Sequence, residues 1–227
     1  MDLPFKVGDR LADIRLGSMG GRSVTLGEYA GRKKLVYVGA SWCGCREYLG
    51  ALQEFHVAHP ALPILTIACD AQGVDLPMKY LARFRASYEM WIDANCVLGR
   101  RWKLKRVGVL LLLDENDVVL MAAERPEADV LKQVEKLLAK EPAANPPAAP
   151  KPDLKDTRVE FLVQLCTNYL TRKRVDDAVG FLKQALQIDP ESKVLPKQIW
   201  ALQNPEKFYN GPIDKEWQKQ QPPVIPS

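Results

Sequence analysis

The clearest pattern along the chain is a series of short apolar runs separated by segments of helical periodicity. "KKLVYVGAS" (33–41) is β-branched and aromatic and ends in small residues, which predicts a buried strand. "CREYLGALQEFHV" (45–57) follows with Leu49, Leu52 and Phe55 at helical spacing. "LPILTIACD" (62–70) predicts a second buried strand and "MKYLARFRAS" (78–87) a second helix. "VGVLLLLDENDVVLMAAE" (107–124) reads as two strands joined by a turn at Asp114, Glu115, Asn116 and Asp117. So short a connection requires an antiparallel pair. "PEADVLKQVEKLLAK" (126–140) then sets Val130, Val134, Leu137 and Leu138 along one helical face. Strands alternating with helices make residues 1–140 an α/β domain with a largely buried sheet.

The pattern changes after that. "EPAANPPAAPKPD" (141–153) has no periodicity and is rich in Pro and Ala, which predicts a semi-extended linker. Residues 154–192 predict a small all-α unit, two helices with a turn near Lys173. Leu162, Leu165, Cys166, Tyr169, Ala178, Leu182, Ala185 and Pro190 resemble the spacing of one tetratricopeptide repeat. A single repeat cannot bury its own apolar face, so the hairpin has to dock, in the first reading on its neighbour domain and in the second on a peptide. The aromatic and Pro-rich tail, 193–227, carries Trp200, Phe208, Tyr209 and Trp217. These rings are expected to staple it to the hairpin, with an exposed partner-binding strip as the other reading.

Composition narrows the function classes. A chain of 227 residues, 47% apolar, can bury one core and carry an appendage. The net charge of +4 comes without a dense Lys/Arg run, so no nucleic acid is expected as a partner. "GRRWKLKR" (99–106), the most basic segment, reads as a solvated helix end. No stretch approaches the roughly 18 consecutive apolar residues of a membrane span. "MDLPFKVGDR" (1–10) also lacks the apolar run of a signal peptide, so the chain as it reads is cytoplasmic, and periplasmic or extracytoplasmic if such a peptide has been removed.

The candidate chemistry lies in "GASWCGCREYLGALQEF" (39–55), where Cys43 and Cys45 stand at the foot of a helix. Backbone N–H groups there stabilise a thiolate. The pair is open to three readings: a working dithiol, a clamp for a soft ion such as copper, zinc or iron, or a site that has lost its function. Two visible thiols fall short of the four ligands of tetrahedral zinc. Cys69 and Cys166 read as small buried apolar residues. Cys96, opening a short helix near Arg100 and Arg101, is a candidate resolving partner for Cys43. Five irregularly spaced cysteines make no disulfide framework.

"KVGDRLADIRL" (6–16), "SVTLGEYAGRKKLVYVGASWC" (23–43), Arg46, "ALQEF" (51–55) and "WKLKRVGVLLLLDEND" (102–117) together resemble the thioredoxin-like superfamily, in particular the TlpA/ResA-type redoxins. The resemblance implies a three-layer thioredoxin-like fold, no cofactor, and thiol–disulfide oxidoreductase or isomerase-like activity on protein thiols and disulfides. It makes Cys43 the nucleophile and Cys45 the resolving thiol, puts Trp42 and Gly108 beside the substrate, and gives Arg46 the role of helix-start support.

The departures from the family pattern are specific. One residue is missing between the cysteines, and i, i+2 positions of a helix do not face each other. A Cys43–Cys45 bridge would pull Cys43 out of helical geometry and be easily reduced. Gly108 stands where the family has a cis-proline and is expected to be trans. Gly50 replaces a kinking proline. Tyr37 replaces a buried carboxylate, and His56 and His59 lie too far along the helix to act as proton acceptor. Ala40, not Thr, precedes Cys43 by three residues, which disfavours a peroxiredoxin. A redox-inactive scaffold whose hairpin and tail bind a protein partner remains open beside the metal reading.

Overall fold

Successive side chains of a strand point to opposite faces of its sheet, and here both faces are apolar. Along β3 (Lys34–Gly39) and β6 (Val109–Leu113), Val36, Val38, Leu111 and Leu113 enter one core layer. Leu35, Tyr37, Leu110 and Leu112 enter the other. The structure, a computed structural model, describes residues 3–142, 145–148 and 154–224, the side chains of 154–156 excepted. Its seven-stranded sheet adds β1 (Arg15–Ser18), β2 (Ser23–Thr25), β4 (Ile64–Ala68), β5 (Glu89–Ile92) and β7 (Val119–Ala123), in the order β2-β1-β5-β4-β3-β6-β7. β3, β4 and β5 run parallel, and the other neighbours are antiparallel. The Asp114 carboxylate accepts from the backbone N–H of Asn116 and Val118, which fixes the turn between β6 and β7.

Helices cover both faces. α1 (Leu49–Ala58), α2 (Asp75–Arg83) and α4 (Ala128–Leu137) lie over Leu35 and Leu112 through Leu52, Phe55, Leu81 and Val134. α3 (Val97–Arg101) lies on the opposite face. This is the three-layer thioredoxin-like arrangement. No helix among the described residues is long and apolar enough to cross a membrane.

The C-terminal part consists of α5 (Leu154–Thr171), α6 (Val175–Ile188), α7 (Val194–Gln203), α8 (Pro205–Tyr209) and α9 (Lys215–Gln220). α5 and α6 form a hairpin in which Ala178 and Ala185 are fully buried, small enough to let the helices approach closely. Apolar packing runs without a break from Val38 and Ile67 through Trp91 and Trp102 into Val163, Leu182, Ile199 and Phe208. Polar ties cross the same seam: the Gln198 side chain accepts from Ala71 N at 2.9 Å and donates to Cys96 Sγ at 3.0 Å. Of the expected linker 141–153, residues 143–144 and 149–153 lie outside the described residues, and the rest form neither helix nor strand.

The basic segment 99–106 is solvated at Lys103 and Lys105, as expected, but not at Arg100. Arg100, Trp102 and Leu104 are buried. Arg100 Nη2 lies 3.1 Å from Glu160 of α5. A pattern of charges cannot reveal that a later helix will cover one of them.

Because Phe208 completes the continuous core, Phe208→Ala should destabilise the whole chain by about 3–5 kcal/mol. Chemical denaturation should show a single transition moving to lower denaturant. A separate early transition confined to the C-terminal helices would contradict a shared core.

Candidate active site

At the end of β3 the chain turns, with Cys43 N donating to Ala40 O at 3.1 Å. Cys43 itself is extended (φ −109°, ψ 139°) and caps a 3-10 turn, Gly44–Tyr48, that runs into α1. Its sulfur accepts the backbone N–H of Cys45 at 3.2 Å. A thiol here takes the place of the oxygen that usually satisfies an orphan N–H at a helix start. The expected continuous helix from Cys43 is thus a cap, a tight turn and then α1. Leaving helical geometry is what lets two cysteines one residue apart face each other.

The environment splits the two thiols. Cys43 is half-buried, whereas Cys45 is 8% exposed. Cys43 is lowered to about 7, first because the Cys45 thiol donates to it, then through the Cys45 N–H and the charges of Lys197 and Arg46; burial opposes the shift. Burial pushes Cys45 well above the ordinary thiol value, and the neighbouring Cys43 adds to that. Tyr37, in the position where the family pattern has a carboxylate, donates its hydroxyl to Cys45 O at 2.8 Å, and burial raises it too.

Gly108 packs directly on Cys45. Its φ is +85°, and a Cβ there would stand 3.3 Å from Cys45 Cβ, so only glycine fits. No peptide bond among the described residues is cis. Trp42 is a correction to the expectation of a substrate contact. Its ring is 2% exposed and its indole N–H donates to Cys69 O at 2.9 Å, so it braces the turn from inside.

Arg46 does more than support a helix start. It is 4% exposed and donates to Ser41 O, to Phe208 O at 2.8 Å and to Gly211 O at 2.8 Å, with its guanidinium 4.4 Å above the Tyr80 ring. Behind it, a cavity of about 20 Å³ lined by Tyr37, Ser41, Arg46 and Tyr80 has room for one water. Asp70, just past the end of β4, is fully buried and accepts from Ser41 N at 2.9 Å and from the Ser41 hydroxyl. Burial raises it to about 6.

Asp70, Lys197 and Lys215 were missed from sequence. A carboxylate just beyond the C-terminal end of a buried strand, beside the strand that leads into the cysteine turn, was a usable signal for Asp70. The lysines gave none, since only folding brings the tail to the turn. Cys96 is a further correction: it is buried under Gln198, and burial pushes its thiol far up, which removes it as a resolving partner. Cys69 and Cys166 are buried and raised in the same way. His59 lies 3.4 Å from Glu135, away from the cysteines. Among the described residues, no group of three or more His, Cys, Asp or Glu side chains forms a metal-binding cluster.

Comparison with known proteins identifies the family and the fold. The chain matches the Redoxin family over residues 6–138. No curated protein matches it. Among solved structures it is similar to the thioredoxin domain of a thiol-disulfide oxidoreductase from Bacteroides vulgatus, at 19% identity over 59% of this chain and 99% of that one, with a TM-score of 0.53. It is likewise similar to a thiol:disulfide interchange protein from Bacteroides sp., at 19% identity over 61% and 95%, with a TM-score of 0.54. A hypothetical protein from Sinorhizobium meliloti 1021 is similar at 18% identity over 64% and 91%, with a TM-score of 0.53. At these identities the likeness to each structure is one of fold.

Asp70 should leave a signature in stability. Its carboxyl titrates near 3.8 when free and at about 6 when folded, so between those values the folded chain holds the extra proton. Its contribution to stability therefore falls as pH rises through that window, by about 3 kcal/mol in the limit. Urea melts at pH 4 and pH 6.5 should show this fall, and Asp70→Asn should flatten it. An equal slope in both chains would contradict a buried, raised carboxyl.

Proposed function

The chain belongs to the redoxin family, and from that premise we propose that it is a thiol–disulfide oxidoreductase acting on protein disulfides through Cys43 and Cys45. The observation that carries the reading is the Cys43 sulfur, half-buried and held by the N–H and the thiol of Cys45. Such a sulfur is a thiolate for much of the time at neutral pH, and the thiolate is the nucleophile.

The steps follow from the geometry. Cys43 S⁻ attacks one sulfur of a substrate disulfide, forming a Cys43–substrate bond and releasing the other substrate sulfur as a thiolate. Cys45 then loses its proton to solvent or to that leaving thiolate and attacks the Cys43 sulfur. The products are a Cys43–Cys45 disulfide and a substrate dithiol, two electrons having passed to the substrate. Run backwards, the same steps oxidise a dithiol, and an external dithiol or disulfide resets the protein.

One observation favours an isomerase-like variant. Burial holds the Cys45 thiol protonated, which slows the resolving attack. The mixed disulfide then lasts long enough for a second substrate thiol to displace Cys43, reshuffling the bond with no net electron transfer.

Alkylation with limiting reagent should label Cys43 before Cys45, with a half-maximal rate near pH 7. Cys43→Ser should abolish exchange on a scrambled or oxidised protein substrate, and Cys45→Ser should accumulate mixed disulfides visible on non-reducing gels. Full activity in the double serine variant would overturn the redox reading in favour of a scaffold. Stoichiometric copper, zinc or iron released by both substitutions would overturn it in favour of a metal site.

A further inference from the structure

Next to the candidate site, residues beyond the family-matched segment 6–138 form an open groove of about 410 Å³. Leu186, Pro196, Trp200 and Val224 give it an apolar floor, and Lys193 and Lys197 stand on its wall. Lys197 is also the lysine whose charge acts on Cys43. From α9, the Cε of Lys215 comes within 4.0 Å of where a Cβ on Gly44 would stand, between the two cysteines. The groove and the thiol therefore share a basic rim.

We propose that this groove takes an extended, acidic segment of the protein whose disulfide reacts at Cys43, with Lys193, Lys197 and Lys215 selecting its charge. The proposal rests on the redox reading of Cys43 and names the substrate class for it. A groove that is apolar below and open above fits a single extended chain, as in other modes of peptide recognition.

Charge complementarity sets the sign. The nearby carboxylates already have cations of their own: Glu191 pairs with Lys105, Asp214 with Lys207 at 3.6 Å and Glu216 with Lys219 at 2.7 Å. Lys193, Lys197 and Lys215 pair with no carboxylate among the described residues. An incoming Glu or Asp finds three uncommitted ammonium groups.

The groove is also fixed in place. Gln198 ties α7 to Ala71 and Cys96, and Trp217 packs edge-on against both Trp200 and Phe208, with ring centroids 6.4 Å and 6.1 Å apart. Arg46 holds the carbonyls of Phe208 and Gly211. A preformed surface loses little ordering entropy on binding.

Three fluorescent peptides, each with the same cysteine disulfide and flanked by Glu, Gln or Lys, test the proposal on the full-length Cys43→Ser/Cys45→Ser chain by anisotropy. The Glu peptide should bind about fivefold tighter than the Gln peptide at low salt, and the Lys peptide should bind weakest. Lys197→Glu/Lys215→Glu should reverse that order, and in the active chain with all three lysines intact the three peptides should follow the same order in KM at similar kcat. Should the double reversal unfold the protein, Lys215→Glu alone, at an exposed position, should still narrow the preference. Equal affinity for all three peptides, or an order that survives charge reversal, would overturn the proposal. Charge-dependent binding in a chain whose activity does not need Cys43 would leave docking standing and remove the redox reading. Loss of activity in Cys43→Ser without any charge preference would do the opposite.

Discussion

A guanidinium keeps its proton under all ordinary conditions, so burying one obliges the fold to surround it with acceptors. Arg46 is that case, and most of the site depends on it. Its acceptors come from two distant places, Ser41 in the redox turn and the carbonyls of Phe208 and Gly211 in the tail. Carbonyls supplied by backbone leave the choice of side chain at 208 to packing, which a buried phenylalanine satisfies. The tail has to reach the redox turn for Arg46 to be buried at all. Once it does, α7 and α9 follow, bringing Lys197 and Lys215 beside Cys43 and Gly44.

The one-residue spacing of the cysteines works through a related local constraint. Two helical positions so close in sequence would point their sulfurs apart. The extended backbone at Cys43 removes it from the helix and turns its sulfur onto the Cys45 N–H. The same geometry makes the thiols unequal, since one sulfur gains donors while the other is enclosed by Gly108 and Tyr37. The turn thus holds an activated thiol beside an enclosed one, the inequality on which the proposed exchange chemistry rests.

The sequence was most legible where burial is local. β3, β4, β6 and β7 announce themselves as apolar runs because both faces of the central sheet are covered, and the turn at Asp114 follows from its carboxylate. β1, β2 and β5 were not singled out: they have only three or four residues each and lie toward the sheet's β2 edge. The cysteine pair was visible, but the burial of Trp42 was not, because what covers it comes from other elements. Asp70 escaped notice for want of a partner in sequence; Ser41, which fixes it, lies on another strand end. Within the basic run 99–106 the charge pattern does not show that Arg100, alone among its basic residues, is buried against α5.

The C-terminal helices are better understood as part of the same folded unit as the redoxin segment than as a module appended to it. A lid can open when the surface beneath it is polar enough to be wetted. Here the surface beneath is the core itself, since Val163, Leu182, Ile199 and Phe208 join the layer that contains Val38 and Ile67. Lifting these helices would expose that apolar surface and strand Arg46 without acceptors, two costs that each exceed what a weak substrate contact returns. The basic rim around Cys43 is therefore permanent, a fixed wall in the docking proposed above. Selection of partners by that wall requires no movement of the protein, only that the incoming chain be flexible enough to lie along α7 while its sulfur reaches Cys43.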